Sequence, residues 1–245
     1  MPAVKPKLVD MSQQVVILAA GMGTRLSRPL PKPLTELNDG RSIMKQQIDN
    51  LKSGFGDDYR LIIVVGYKLE AIIERFPEAT FVYNELYDQT NTSKSLLKAL
   101  RASGDGGVLW MNGDVVFDPQ VLERVAPKIE ADQSFVVVNT SKVSDEEVKY
   151  TLDDAGYIDQ LSKIVQSGLG EAVGINFIAG RDKSKLIARL AEVGDQDYFE
   201  RGIEVAIQND GVKFEAINIS DLYAIEIDFA EDLERVNDLF KGKNV

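Results

Sequence analysis

The sequence predicts an α/β fold, a mostly parallel central sheet with helices on both faces, and three observations predict it. Short unbroken apolar runs recur along the chain, the first at Val15–Ala20. Segments with helical spacing separate them. A glycine- and proline-rich loop from Gly21 to Pro33 follows directly on the first run, at the place where open α/β sheets meet their ligands.

Val15–Ala20 is apolar throughout, as a strand covered on both faces must be. Ile43–Leu51 has helical spacing, Leu61–Val65 is a second buried strand, and Leu69–Phe76 is a helix stopped by Pro77. Phe81–Tyr83 is a short strand, and Ser93–Ala102 a helix ending near Gly104. Val108–Met111 is a strand, Pro119–Glu130 a helix with proline at its start, and Phe135–Val138 another apolar strand. Lys149–Leu152 and Tyr157–Leu161 flank Asp153–Gly156 as a hairpin. Ala172–Ala179 is a strand, and Ser184–Val193 and Tyr198–Gln208 are helices. Val212–Ile217 and Tyr223–Ile227 are strands, and Ala230–Phe240 is the last helix. This alternation predicts a Rossmann-like, mostly parallel (mixed) sheet with helices on both faces. One domain is expected over 14–245, behind a flexible N-terminal tail at 1–13.

Composition narrows the chemistry. The 245 residues are 44% hydrophobic and 27% charged, ordinary for a globular domain with a sizeable core. No cysteine is present, so disulfides, thiolate nucleophiles and cysteine zinc sites are excluded. Histidine is absent too, which removes the commonest general base and transition-metal ligand. A metal is therefore expected to be a hard cation on carboxylates, with magnesium favoured. A formal net charge of -11 and the lack of a long basic patch argue against nucleic acid. No apolar run approaches a membrane span, and Met1–Gln13 lacks the apolar core of a signal peptide. A cytoplasmic protein is expected, and a homodimer is compatible with it.

The loop LAAGMGTRLSRPLPKPL, Leu18 to Leu34, sets glycines beside cations. Glycines let backbone N–H groups approach an anion closely. Arg25 can grip phosphate oxygens as a fork, and Lys32 supplies a point charge whose range Pro29, Pro31 and Pro33 limit. A dinucleotide fingerprint needs a third glycine where Leu26 stands, and a P-loop needs Gly–Lys–Ser/Thr, which is missing. As a combined pattern, LAAGMGTRL followed by PKPL resembles the signature of the small-molecule NTP transferases. These nucleotidyltransferases activate phosphorylated molecules with an NTP, and bacterial phosphocholine cytidylyltransferase-like enzymes are the most similar branch. The resemblance implies that Leu18, Ala19, Ala20, Gly21, Gly23, Thr24, Arg25 and Lys32 bind the nucleotide. It also implies that Arg25 and Lys32 stabilise charge moving onto pyrophosphate.

Two distant acids complete the resemblance. Asn112–Gly113–Asp114 closes a buried strand; it is similar to the family's strand-end aspartate that holds magnesium, with Asn112 on the nucleotide side. Glu226–Ile227–Asp228, followed by Asp232–Leu233, resembles the "EID…DL" of the cytidylyltransferase branch, which implies Asp228 as a second magnesium ligand. By themselves Asp114 reads as a turn former and Asp228 as the N-cap of the last helix. In the middle, Asn84, Asn91 and Ser95 match "N…TN…SL", which lines the nucleotide and acceptor pocket; a capped surface loop explains the same polarity. Glu171, and Tyr198 with Glu200, match acceptor-side stretches, and both acids read equally as solvated. Phosphocholine-specific enzymes tend to carry a tryptophan shortly before "EID", where Tyr223–Ala224 stand here. A phosphorylated polyol or sugar stays open.

The expected reaction is transfer of a nucleotidyl group, cytidylyl from CTP, to a small phosphorylated acceptor with release of pyrophosphate. A sugar-1-phosphate nucleotidylyltransferase using UTP or GTP is the alternative enzyme. A non-catalytic nucleotide-binding regulatory subunit is the alternative from another class.

Overall fold

The computed structural model describes residues 12–23, 26, 29–141 and 147–241. The expected tail lies outside these residues except for Ser12 and Gln13, and Gln13 opens the first strand.

Seven strands form the main path of the sheet: β1 (Gln13–Ala19), β2 (Tyr59–Val65), β3 (Thr80–Tyr83), β4 (Val108–Asn112), β6 (Phe135–Asn139), β9 (Glu171–Ile178) and β10 (Glu215–Asn218). Their spatial order is β10-β6-β9-β4-β1-β2-β3. All neighbours pair in parallel except β9, which runs antiparallel to both β4 and β6. Two strands, β7 (Lys149–Leu152) and β8 (Ile158–Ser162), form the expected hairpin, and β7 joins the edge of β9. Separately, β5 (Val115–Phe117) and β11 (Ala224–Glu226) make an antiparallel ribbon.

Alternation along the strands explains the two-sided burial. Val16, Leu18, Ile62, Val64, Val108 and Trp110 face one way. They pack beneath α3 (Thr92–Ala102), α5 (Lys183–Glu192) and α6 (Phe199–Asp210), through residues such as Leu96, Leu190 and Ile203. Val15, Ile17, Ile63, Val65, Leu109 and Met111 face the other way. They pack beneath α1 (Ile43–Phe55), α2 (Leu69–Ile73) and α4 (Gln120–Glu130), through Met44, Ile72 and Val125. Each such side chain contributes about 1.5–3 kcal/mol on leaving water, so the sheet is a stiff platform. A third, smaller cluster joins Val116, Ile225 and Ile227 to α7 (Ala230–Lys241) through Leu233, Val236 and Phe240.

The order β4-β1-β2 places a topological switch beside β1, because the chain leaves β1 towards β2 and later returns to pair β4 on its other flank. The carboxyl ends of β1 and β4 therefore border one crevice. Three elements differ from the sequence reading. The strand β5 goes unread because Asn112–Gly113–Asp114 looks like a terminus, whereas the chain resumes at once as a ribbon. Pairing in the expected Val212–Ile217 strand is confined to β10, while Val212 and Phe214 are buried by packing. The helix expected to run to Phe76 is regular only to Ile73, and a turn with Arg75 and Phe76 donating to the Ile72 carbonyl follows.

Candidate active site

The crevice between the ends of β1 and β4 opens into a cavity of about 260 Å³. Its floor carries Leu18, Ala19, Gly21 and Gly23 from the first strand and loop, and Asn112 and Asp114 from the end of β4. Lys32 opens a single 3-10 turn, Lys32–Leu34, that brings the loop back over the floor. Gly23 has φ of 57°, and a side chain there would lie 2.8 Å from the Lys32 Cβ. The loop glycine thus leaves the space in which the lysine sits.

Asp114 is fixed through its backbone. The Gly113 N–H donates to the Leu18 carbonyl at 2.9 Å, and the Asp114 carbonyl accepts from the Ile227 N–H at 3.0 Å. A Cβ on residue 113 would fall 2.7 Å from the Leu18 oxygen, so glycine is the residue that permits this approach. The Asp114 carbonyl contact also sets β11, and hence Asp228, opposite Asp114. The Lys32 ammonium bridges the pair, donating to Asp114 Oδ2 at 2.7 Å and to Asp228 Oδ1 at 2.5 Å. Burial alone would pull this lysine's pKa down, but the charges and hydrogen bonds of both aspartates outweigh it and hold it above the ordinary value. In the first turn of α7, Asp232 Oδ2 accepts from the N–H groups of Asp228 and Phe229.

A third carboxylate joins them. Oxygens of Asp114, Glu226 and Asp228 all lie within 4.8 Å of one another. Burial, with the charges of Asp114 and Asp228, pushes the Glu226 carboxyl well above the usual range, and Lys32 only partly offsets this. Asp114 Oδ1 is buried with no hydrogen-bond partner among the described residues. Three hard oxygen donors, one with a buried unused atom, suit a magnesium-type cation, and the ammonium already seated between two of them shows that positive charge is accommodated there. Glu226 stands in the Glu226–Ile227–Asp228 string without a role of its own. Strand alternation was the available signal, since residues 226 and 228 share a face while Ile227 points into the core.

Later elements wall the cavity with Glu147, Lys163, Tyr198 and Glu200. The Lys163 ammonium stands 4.9 Å from the centre of the Tyr198 ring. Glu200 is buried, its Oε2 lacks a partner among the described residues, and burial pushes its carboxyl up to about 7 despite the nearby Lys163. Glu171 lies next door, in a second cavity of about 480 Å³ that shares Glu147, Lys163, Glu226 and Asp228 with the first. Lys163 and Glu147 carry no motif and were not read from the sequence.

Other expected residues sit elsewhere. Thr24 and Arg25 lie outside the described residues. Ala20, Asn84, Asn91 and Ser95 line neither cavity. The Ala20 carbonyl accepts from the Tyr67 N–H. Asn84 Nδ2 donates to Thr90 Oγ1 and Ser95 Oγ, closing the loop internally. Asn91 is the N-cap of α3, its Oδ1 accepting from the Thr92 N–H. The stretch is also tied to the start of α6, where Asn91 Nδ2 donates to the Gln196 carbonyl and Thr92 Oγ1 accepts from the Phe199 N–H, and Thr92 lines the cavity. Among the described residues, no helix is long and apolar enough to cross a membrane.

Comparison with known proteins agrees with this architecture. Residues 15–196 match the MobA-like NTP transferase domain, and the chain belongs to that family. A CMP-5'-(3-aminopropyl)phosphonate synthase of Streptomyces rubellomurinus is 38% identical over 127 residues, 48% of this chain and 20% of that protein. The UTP–glucose-1-phosphate uridylyltransferase AglF of Haloferax volcanii is 35% identical over 133 residues, 51% of this chain and 53% of that protein. The chain thus spans about half or less of the length of these two relatives. The CTP:phosphocholine cytidylyltransferase of Streptococcus pneumoniae superposes with a TM-score of 0.74 at 21% identity, covering 94% of this chain and all of that one. At that identity the likeness is one of fold.

Proposed function

We propose that this chain transfers a cytidylyl group from CTP to a small phosphorylated acceptor and releases pyrophosphate. One observation carries the reading: Lys32, Asp114 and Asp228 converge in a single cavity floored by the Gly21–Gly23 loop. In this reading Leu18, Ala19, Gly21, Gly23, Thr24 and Asn112 hold the nucleotide. An oxygen of the acceptor phosphate attacks the α-phosphorus, a new P–O bond forms, and the bond to pyrophosphate breaks. A phosphomonoester is largely dianionic at neutral pH, so no general base is needed, and a chain without histidine or cysteine suffices. Lys32 and Arg25 stabilise the charge arriving on pyrophosphate. Lys32 is suited to this because Asp114 and Asp228 hold its ammonium charged and in place at the floor.

Asp114 and Asp228 would hold magnesium, with Glu226 as the third carboxylate. When bound, the ion offsets phosphate repulsion and polarises the α-phosphorus. Lys163 lines both cavities and receives the acceptor phosphate at their junction. The rest of the acceptor extends into the second cavity, where Glu147, Glu171, Glu226 and Asp232 outnumber Lys163 and Arg235. That acidic lining favours an amine-bearing acceptor of the phosphocholine or aminoalkyl kind, with Tyr198 and Glu200 on its flank. The likeness to the CMP-5'-(3-aminopropyl)phosphonate synthase supports the same choice. Supply of CTP and the lack of cysteine suit a cytoplasmic setting.

A second reading, a sugar-1-phosphate nucleotidylyltransferase using UTP, is favoured by the likeness to the Haloferax enzyme. Pyrophosphate release measured for each NTP against phosphocholine, aminoalkyl phosphonates, polyol phosphates and sugar 1-phosphates separates the two. Turnover only with UTP and a sugar phosphate would replace the first reading. Silence across the panel would leave a nucleotide-binding subunit.

A further inference from the structure

Helix α1 carries three amides that look like its solvated face: Gln46, Gln47 and Asn50. All three are buried, Gln47 fully. Gln46 Nε2 and Asn50 Nδ2 both donate to the Phe117 carbonyl at 2.8 Å, at the far end of β5. Gln47 does something different. Its Nε2 donates to the Asn112 carbonyl and to the Val115 carbonyl, each at 2.8 Å. These two carbonyls bracket Gly113–Asp114, the turn on which β4 leaves the main sheet and β5 enters the ribbon.

Both protons of the Gln47 amide are used in this strap, while its Oε1 is buried without a partner among the described residues. Burying an unpaired carbonyl oxygen costs about 1–3 kcal/mol. Gln46 Oε1 is buried without a partner in the same way, so what distinguishes Gln47 is where its two donors go. The strap closes the third side of a frame. The Gly113 N–H ties the turn to β1, the Asp114 carbonyl ties it to Ile227 just past β11, and Gln47 ties both flanks to α1. Together they leave the Asp114 backbone little freedom, and so fix where its carboxylate stands relative to Asp228.

We propose that Gln47 is a positioning residue for the Asp114 carboxylate and, resting on the function proposed above, for the cation that Asp114 and Asp228 would hold. Groups that orient metal ligands without touching the metal typically change affinity 10–100-fold when removed.

The test compares neighbouring amides. Gln47→Met and Gln46→Met remove similar side chains from one helix, but only the first releases the Asp114 turn. Manganese titration of the nucleotide-free proteins, read by electron paramagnetic resonance, is expected to show about tenfold weaker binding in Gln47→Met. Gln46→Met should match the unsubstituted protein in affinity even where its melting temperature falls as far. Gln47→Asn, which keeps an amide too short to span both carbonyls, should weaken the metal in the same direction and serves if the Met variant does not fold. Equal affinities for the unsubstituted protein and a folded Gln47 variant would overturn the positioning role while leaving the metal site standing. Binding that persists in Asp114→Asn, or is absent from the unsubstituted protein, would overturn the metal reading and this inference with it.

Discussion

The floor and the wall of the cavity are built differently. On the floor, Lys32 and Asp114 come from the first half of the chain and are held by short, fully directed bonds: the lysine by two carboxylates, the aspartate's turn by β1, β11 and α1. On the wall, Lys163 and Glu200 come from the second half and are less constrained. Glu200 Oε2 is buried without a partner among the described residues, and Lys163 rests over an exposed tyrosine. A fixed floor suits chemistry common to every acceptor, because preorganised charge loses no free energy to rearrangement during reaction. An under-satisfied wall suits recognition, because its polar groups gain partners only when a ligand arrives.

Breaking the floor should have the largest effect. Lys32→Ala is expected to lower turnover by about 10²–10³-fold with every acceptor, as loss of a group stabilising transition-state charge does. The far-ultraviolet circular dichroism spectrum should stay unchanged. Equal turnover would remove the lysine from the reaction.

Next comes the wall's buried acid. Below pH 4.5 the Glu200 carboxyl is protonated in both the folded and the unfolded chain, and no stability is lost. From there to about pH 7 the unfolded chain ionises while the folded one resists, so stability falls as pH rises. Relative to the unsubstituted protein, Glu200→Gln should therefore gain up to about 3 kcal/mol between pH 4.5 and 8 in the ligand-free state. Thermal melts at the two pH values read this directly. A pH-independent difference would show a solvated carboxylate.

Lys163→Ala sharpens the contrast further. It should raise the acceptor KM about tenfold, near 1.4 kcal/mol, with the KM for CTP unmoved. A rise in both would place Lys163 on the nucleotide. The smallest effect is expected at Asp232→Ala, which removes the acceptor of the Asp228 and Phe229 N–H groups. Loss of such a contact costs about 1 kcal/mol, visible as a lower melting temperature with turnover changed less than by any floor variant.

The same division explains what the sequence made legible. Lys32, Asp114 and Asp228 stand in local strings whose residue types already state a chemistry, and the structure brings all three to one point. Gly21 and Gly23 were readable for the same reason. Asn84, Asn91 and Ser95 also stand in a string but line neither cavity: Asn84 bonds Thr90 and Ser95, and Asn91 caps α3 and donates to the Gln196 carbonyl. A polar pattern alone does not say whether a loop lines a cavity or stands beside it. Lys163, Glu147 and Gln47 were invisible because their roles come from contacts far along the chain; Gln47 meets carbonyls 65 and 68 residues away. The parallel strands were legible from unbroken apolar runs, whereas the three-residue β5 is too short to show a period.

The reversed direction of β9 has a practical corollary. Because it enters the cleft where its neighbours leave it, the hairpin before it is delivered to the mouth of the cavity, with Lys163 at its trailing edge. Length changes between Ser162 and Gly170 could thus recast acceptor choice while the Lys32–Asp114 apparatus is inherited intact, which makes this stretch the natural place to diversify a library.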